Sequence, residues 1–236
     1  MLIHSRMSST LLIGLLRGHW FVWQGGAMDV AARTAVNRRL LADFFDSLDE
    51  SQLETQSLCS AWTVREVLGH SAMPFSVGIG RLLWRTLLAG GSIDRAAAAI
   101  AEEQARRPVA ELTGLLRTHA EKRVPAPGVG PMGQFTDHCI HLRDCVRPLG
   151  LDADVPLEDW RAVLDWLPTK QASLGVVPTG RLDGLALRAN DQDWIWGDGA
   201  EVAGPSEALA MALAGRSIAL ADLDGPGVAR LRERIA

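Results

Sequence analysis

The sequence is short of several residue types, and each shortage narrows the class of protein. Its 236 residues include no tyrosine, two lysines and three cysteines, Cys59, Cys139 and Cys145. An odd number of cysteines without C-x-x-C spacing argues against a disulfide framework and against a structural zinc knuckle. We therefore expect reduced thiols in a cytoplasmic protein, with Cys139 and Cys145 as small buried apolar residues.

The sequence also lacks an excess of positive charge and a long apolar run. Its net charge is −4, whereas nucleic acids and anionic membranes bind basic surfaces. No stretch approaches the ~18 consecutive apolar residues of a membrane span. We therefore expect neither a nucleic-acid nor a membrane partner. Apolar residues form 47% and charged residues 22% of the chain, which is typical of a soluble globular protein.

The first 27 residues differ from the rest of the chain. Arg6, an apolar run over residues 11–16 and a Gly-Gly-Ala before Met28 faintly resemble a signal peptide. The run is too short for one, and Arg17 directly follows it. We expect residues 1–27 to be a poorly ordered extension before a folded domain that begins at Met28. A start codon assigned too far upstream would give the same pattern.

Apolar residues at helical spacing predict several helices in the first two thirds of the chain. Long helices are expected over 30–48, 63–88, 108–122 and 132–147, with a short helix and a turn over 92–107. Thr63 opens a capping box at the start of the second helix. Pro74 predicts a kink just after His70, and Pro148 with Gly150 is expected to halt the fourth helix. Four long helices with modest connections indicate a four-helix bundle.

The pattern changes after about residue 152. Alternation over 184–188 and 194–196 predicts a β-hairpin that turns at 190–191. Helices are expected over 157–167, 205–213 and 225–235. The fold class is therefore α+β, with a bundle over 28–152 followed by a linker helix and a small α/β domain over 153–236.

The fourth predicted helix carries a possible metal-binding pair. Asp137 and His141 are four residues apart, so their side chains lie on one face, one turn apart. A carboxylate and an imidazole at this spacing can hold one divalent ion such as zinc. His70 can supply a third ligand, because helices of a bundle face each other, and three protein ligands leave one coordination position open. His138 with His141 is an alternative pair.

Asp144 follows His141 by three residues and can lie on the same helix face. It is expected to orient an imidazole or to bind Arg147, unless it forms an ordinary surface ion pair. Single histidines and D-x-x-x-H pairs are also common at ordinary positions of helices. Spacing alone therefore leaves the ligand set open.

Three segments resemble the mycothiol-dependent maleylpyruvate isomerase family. They are SLCSAWTVREVLGH at 57–70, DHCIHLRDCVRPLG at 137–150 and GLALRANDQDWIWGDGAEVAGPSEALAMALAGR at 184–216. The resemblance covers about residues 28–236 and implies a DinB-like bundle with a small C-terminal domain of sterol-carrier-like topology. It is specific for the family and not for one reaction, because DinB-like proteins include many members whose substrates are unknown.

The resemblance implies a particular ligand set. In the family, the metal is held by a histidine on the second helix and by a glutamate and a histidine four apart on the fourth. These positions match His70, Asp137 and His141. Asp137 departs from the pattern because it is one methylene shorter than glutamate, which would draw the ion towards the fourth helix. A family arginine that contributes to activity matches Arg216, which is thereby implied as a catalytic and cofactor-binding residue, and a structural salt bridge is the alternative.

The resemblance also implies mycothiol as the thiol cosubstrate and a small electrophilic molecule as the substrate, in a monomer or homodimer. A zinc-bound thiol is deprotonated at neutral pH, so it can add to the substrate as a thiolate. The implied enzyme is an isomerase or an S-transferase, because both use this addition as their first step. Arg216 or Arg143 would bind an acidic substrate. The alternative function is a non-catalytic metal-containing bundle whose C-terminal module binds a small apolar ligand at Trp194 and Trp196. These tryptophans are otherwise expected in the core.

Overall fold

The computed structural model describes residues 28–124, 128–153 and 155–235, so the predicted extension over 1–27 lies outside the described residues. The helices of the first part are α1 (Val30–Asp46), α2 (Glu50–Leu53), α3 (Val64–Ser76), α4 (Ile79–Leu88), α5 (Ile93–Ala105), α6 (Val109–Thr118) and α7 (Gly130–Leu149). None of the described helices is long and apolar enough to cross a membrane.

The second part combines helices with a small sheet. Its elements are α8 (Leu157–Trp166), β1 (Leu185–Ala189), β2 (Ile195–Gly197), β3 (Ala200–Gly204), α9 (Ser206–Leu213) and α10 (Val228–Ile235). The strand order is β2-β1-β3, with β1 antiparallel to β2 and parallel to β3. The α+β fold class is confirmed, and so is the predicted hairpin. Strand β3 was not predicted, because the glycines before it indicated a loop.

The second predicted helix is two helices. The capping box at its start is confirmed, since the Thr63 side chain accepts from the backbone of Glu66 and the Glu66 carboxylate accepts from the Thr63 N–H. Pro74 lies in the last turn of α3 and has no N–H for the carbonyl of His70. The chain becomes extended at Val77, and α4 begins after Gly78. The single helix predicted over 63–88 was therefore wrong.

Helix α7 runs through the proline that was expected to halt it. Pro148 lies inside the helix, which ends at Gly150 in the left-handed conformation (φ 62°). A proline at position 148 cannot donate to the carbonyl of Asp144, four residues back. That carbonyl instead accepts from the backbone N–H of Leu58 at 2.9 Å. The missing donor is thus replaced by a tertiary hydrogen bond from the loop before α3.

One hydrophobic core extends through both parts of the chain. In the first part, α1 packs on α6 and α7, and α3 packs on α5 and α6. Helix α5, predicted as a short helix and a turn, has 13 residues. Gly69 allows its close packing, because a Cβ at that position would lie 2.4 Å from the Ala101 carbonyl oxygen. Helix α8 then packs against α7 and α9, and its Trp160 and Leu164 are buried.

Candidate metal centre

Helices α3 and α7 bring three potential ligand side chains together. His70 Nε2 lies 3.4 Å from Asp137 Oδ1, and His141 Nε2 lies 3.2 Å from the same oxygen. One donor atom from each of the three residues lies within 4.8 Å of the other two. His138 is absent from this cluster; it is buried, and its Nδ1 has no partner among the described residues.

The spacing of these atoms fits a small divalent ion. Ligand atoms about 2.1 Å from a tetrahedral zinc ion lie about 3.4 Å from each other, and the two distances to the Asp137 oxygen are 3.2 and 3.4 Å. Two imidazoles and a carboxylate are common zinc ligands, and three protein ligands leave one coordination position open. The residues present therefore fit a zinc-type ion with an accessible position.

Asp144 binds the ring nitrogen of His141 that does not face the cluster. The Asp144 side chain is fully buried, and its Oδ2 accepts a hydrogen bond from His141 Nδ1 at 2.9 Å. With the proton on Nδ1, the lone pair of Nε2 points towards the cluster, which is the usual support of a metal-binding histidine. Arg147, the other partner suggested for Asp144, instead binds Asp222 at 2.5 Å.

Asp144 also binds Arg216, which follows α9. Arg216 donates from Nε to Oδ1 at 2.9 Å and from Nη2 to Oδ2 at 2.5 Å, while its Nη1 donates to the carbonyl of Ala214 at 2.7 Å. The arginine matched by resemblance thus forms a two-point ion pair at the site. Arg143, the other candidate for an acidic substrate, binds Glu207.

Trp62 forms a wall beside the two histidines. Its ring stacks on His70 with centroids 4.4 Å apart and an angle of 27° between the planes. The ring of His141 lies 5.5 Å from Trp62. Trp62 directly precedes the Thr63 cap of α3, so the capping box that begins the helix also fixes the chain beside His70. Trp62 was not predicted as a residue of the site, although it belongs to the first family-like segment.

The charges of the site are strongly coupled. Burial lowers the pKa of His141, but the carboxylates of Asp137 and Asp144 outweigh it and raise that pKa to about 10. Burial raises the pKa of Asp137, yet His141 and His70 bring it well below its ordinary value. Burial lowers the pKa of His138 to about 3. Without a metal, the cluster therefore keeps a proton on His141 at neutral pH.

A cavity of about 400 Å³ opens in front of the cluster. It is lined by all three candidate ligands and by Trp62, Thr136, Cys59, Val176 and Arg216, so both parts of the chain contribute. Thr136 Oγ1 and Trp62 Nε1 are buried without a hydrogen-bond partner among the described residues. The half-buried Cys59 lies at this cavity, whereas Cys139 and Cys145 are buried, as expected.

Fold and site together define the class: a helical bundle joined to a small α/β unit, with a His-Asp-His donor set at the floor of a cavity. Residues 34–129 match the family model described as the mycothiol maleylpyruvate isomerase N-terminal domain. This segment is therefore similar to that domain, and the resemblance to the family stated from the motifs is confirmed. His70 lies inside the matched segment, whereas Asp137 and His141 lie beyond it.

Two solved structures have the same fold. One is a histidine-to-alanine mutant of the mycothiol-dependent maleylpyruvate isomerase, with a TM-score of 0.52 and 12% identity over 84% of this chain and 92% of that chain. The other is the mycothiol-dependent maleylpyruvate isomerase, with a TM-score of 0.51 and 14% identity over 80% of this chain and 88% of that chain. No curated protein sequence matches the chain. At these sequence identities, the similarity of the chain to the two structures shows the fold alone.

Proposed function

We propose that the chain is a metal- and mycothiol-dependent enzyme that activates a thiol for addition to a small electrophilic substrate, as an isomerase or an S-transferase. The observation that carries the proposal is the meeting of His70, Asp137 and His141 at the floor of a cavity. We further propose a division into a bundle over 28–152 and a C-terminal unit over 153–236, and a cytoplasmic location, in keeping with three free cysteines.

In this proposal the three residues hold a divalent ion, with zinc as the best match to the donor set. A bound ion of this kind lowers the pKa of a coordinating thiol and so supplies a thiolate at neutral pH. Asp144 fixes His141 in the tautomer that a ligand needs, and Trp62 fixes the ring plane of His70. The ligands are thus held in place before the thiol arrives.

The cavity offers groups suited to an acidic electrophile. Arg216 places a positive charge at its wall, and Asp144 and the Ala214 carbonyl take three of its five N–H groups. The remaining N–H groups and the Thr136 hydroxyl are available to a carboxylate or carbonyl oxygen. Arg143, bound to Glu207 and to the Ala153 carbonyl, is absent from this lining.

The proposed first step forms a bond between the cosubstrate sulfur and an electron-poor carbon of the substrate. In an isomerase, rotation about the former double bond and elimination of the same thiol give the product and regenerate the thiol. In a transferase, the adduct is protonated and leaves as the product. Both reactions use the same site, so the choice between them depends on the substrate.

The alternative function, ligand binding by the C-terminal tryptophans, has less support. Trp194 is buried, and its indole N–H donates to Asp165 Oδ1 at 2.8 Å, so it belongs to the core. Trp196 is half-buried beside a separate cavity of about 310 Å³. No feature of that cavity directs thiol chemistry there.

The proposal is tested by a thiol-dependent activity screen with zinc-loaded protein. Mycothiol would be combined with maleylpyruvate and with a panel of activated alkenes, and products would be followed by liquid chromatography with mass spectrometry, because an isomerisation product has the mass of its substrate and must be separated from it. We expect turnover that needs the thiol and is lost in His141→Ala but kept in His138→Ala. Turnover that is equal without mycothiol, or unchanged in His141→Ala, contradicts the proposal.

A further inference from the structure

Cys59 is the cysteine that a molecule in the site cavity can reach. It is half-buried and lines the cavity of about 400 Å³ in front of the candidate metal ligands. Cys139 and Cys145 are 1% and 0% exposed and do not belong to this lining. All three thiols are free. A reagent that enters the cavity therefore meets one thiol, and the other two serve as controls within the same chain.

Hydrogen bonds hold the backbone of Cys59 at the edge of the cavity. Its N–H donates to Ser57 Oγ at 3.1 Å, and its carbonyl accepts from the N–H of Trp62 at 3.0 Å. The N–H of Leu58, the preceding residue, donates to the carbonyl of Asp144 at 2.9 Å. The loop is thus bound both to itself and to α7, which keeps the thiol beside the cavity.

The same cavity has polar groups that lack a partner. Thr136 Oγ1 and Trp62 Nε1 are buried without a hydrogen bond to any described residue, and both side chains line the cavity. Thr136 is 0% and Trp62 is 9% exposed. Buried polar groups in native proteins are nearly always hydrogen-bonded, and an indole N–H can only donate. The two groups therefore indicate a ligand with acceptor oxygen atoms, independently of the cysteine.

Arg216 brings a positive charge to the same part of the cavity. Its guanidinium is close enough to Cys59 for the two groups to interact electrostatically. Asp144 and the Ala214 carbonyl take three of its five N–H groups, so two remain for a ligand. A polar molecule bound by Arg216 and Thr136 is therefore placed beside the Cys59 sulfur.

We propose that Cys59 is a modification site, at which the disulfide form of the thiol cosubstrate forms a mixed disulfide with the protein. The inference rests on the proposed function for the identity of that thiol. A thiol and its disulfide carry the same polar groups, so a cavity that binds the thiol also binds one half of the disulfide. The disulfide adds a sulfur–sulfur bond that a cysteine thiolate attacks.

The exchange needs no further reagent. The Cys59 thiolate attacks one sulfur of the small disulfide, a bond forms between these two sulfurs, and the original sulfur–sulfur bond breaks. The released half leaves as a thiolate and takes up the proton that Cys59 has lost. Cys59 is oxidised in this step, and the released thiol is the reduced product. An excess of the free thiol drives the same exchange backwards and restores Cys59.

The adduct closes the site. Because Cys59 lines the cavity together with His70, Asp137 and His141, a molecule attached to its sulfur occupies the space that the cosubstrate needs. The ratio of disulfide to thiol then sets the fraction of open sites. Oxidation of the cosubstrate thus switches the protein off, and reduction switches it on again.

Incubation of the reduced full chain with mycothiol disulfide, followed by peptide mass mapping without reductant, tests the proposal. We expect one adduct per chain, on Cys59, and its removal by dithiothreitol. Glutathione disulfide is the comparison reagent and should react about tenfold more slowly, a difference that one hydrogen bond in the cavity can supply. The preference should vanish in the urea-unfolded chain, where no cavity exists.

Two variants complete the test. Cys59→Ser should form no adduct, and Cys145→Ala, the matched control, should form as much as the wild type. Circular dichroism at the incubation temperature shows whether both variants are folded. The wild-type map decides the question if one of them is not, because it reports all three cysteines separately.

Several outcomes overturn the proposal. Adducts on Cys139 or Cys145 do so, and so do equal rates with the two disulfides. Loss of two hydrogen atoms in place of a mass gain also overturns it, because it assigns an internal disulfide to Cys59 and its neighbour Cys145. Turnover with mycothiol by a chain that forms no Cys59 adduct overturns this inference alone. A selective adduct in a chain without turnover supports it and contradicts the proposed activity.

Discussion

Asp144 and Arg216 form a two-point ion pair that joins the bundle to the C-terminal unit. The guanidinium donates from Nε and Nη2 to the two carboxylate oxygens, at 2.9 and 2.5 Å, across 72 positions of sequence. The same carboxylate accepts from His141 at 2.9 Å. The orientation of a candidate metal ligand is thereby linked to the contact between the two parts of the molecule.

This link predicts that Asp144→Asn weakens both metal binding and the fold. Loss of the charge behind His141 should lower zinc affinity about 10–100-fold. The unpaired, buried Arg216 should cost about 3–5 kcal/mol of unfolding free energy. Chelator competition and urea unfolding of the metal-free protein measure the two effects separately.

Asp222→Asn is the matched control for Asp144→Asn. Asp222 likewise forms an ion pair with α7 from the C-terminal part, through Arg147, but its side chain is 42% exposed, so the change should cost about 0–1 kcal/mol and leave metal affinity unaltered. Equal metal affinity in wild type and Asp144→Asn would show that Asp144 only joins the two parts of the chain.

The ligand set predicts which histidine controls metal content. His141→Ala should remove most of the zinc, because two remaining ligands make an inadequate site. His138→Ala is the adjacent control; His138 is buried outside the cluster and should leave about one zinc per chain. Elemental analysis after dialysis measures the zinc content of both variants. Retention of zinc in His141→Ala contradicts the assignment.

The role of Asp137 predicts different results for two substitutions. Asp137→Glu should keep the metal, because the donor type is retained and the open coordination position tolerates a small displacement. Asp137→Asn removes a negative charge beside a dication and should lower affinity at least about 10–100-fold. A chromogenic chelator titration compares them with wild type. Equal affinity in the Asn variant would make Asp137 an ordinary helix-surface acid.

The raised pKa of His141 predicts a pH-dependent metal affinity. In the metal-free protein this pKa is about 10, so His141 is protonated at pH 7 and must lose that proton to bind metal. Apparent affinity should therefore rise about tenfold per pH unit from pH 6.5 to 8.5, with about one proton released per metal. Titration calorimetry in buffers of different ionisation enthalpy counts the protons, and a flat profile would contradict the assignment of His141.

Local sequence signals predicted much of this structure. The capping box at Thr63 and the one-turn spacing of Asp137 and His141 depend on neighbouring residues, so they could be found from the sequence. The end of α3 at Ser76 and the continuation of α7 through Pro148 could not, because tertiary contacts decide what happens at a proline.

Tertiary contacts also explain why some features of the site could not be predicted from the sequence. The position of Cys59 at the cavity and the partnership of Asp144 with Arg216 come from packing between distant segments. The family match supports the choice of candidate ligands only in part, because it ends at residue 129 and so covers only His70 of the three.

Pro148 gives the site a further constraint. Because it lacks an N–H, the carbonyl of Asp144 is free to accept from Leu58, the residue before Cys59. The backbone of Asp144 therefore fixes the loop at one edge of the cavity, while its side chain fixes His141 and Arg216. Replacing Pro148 by alanine would supply a competing donor within the helix and weaken the hydrogen bond that holds Leu58, so a residue outside the candidate metal cluster helps to hold the loop that lines the cavity.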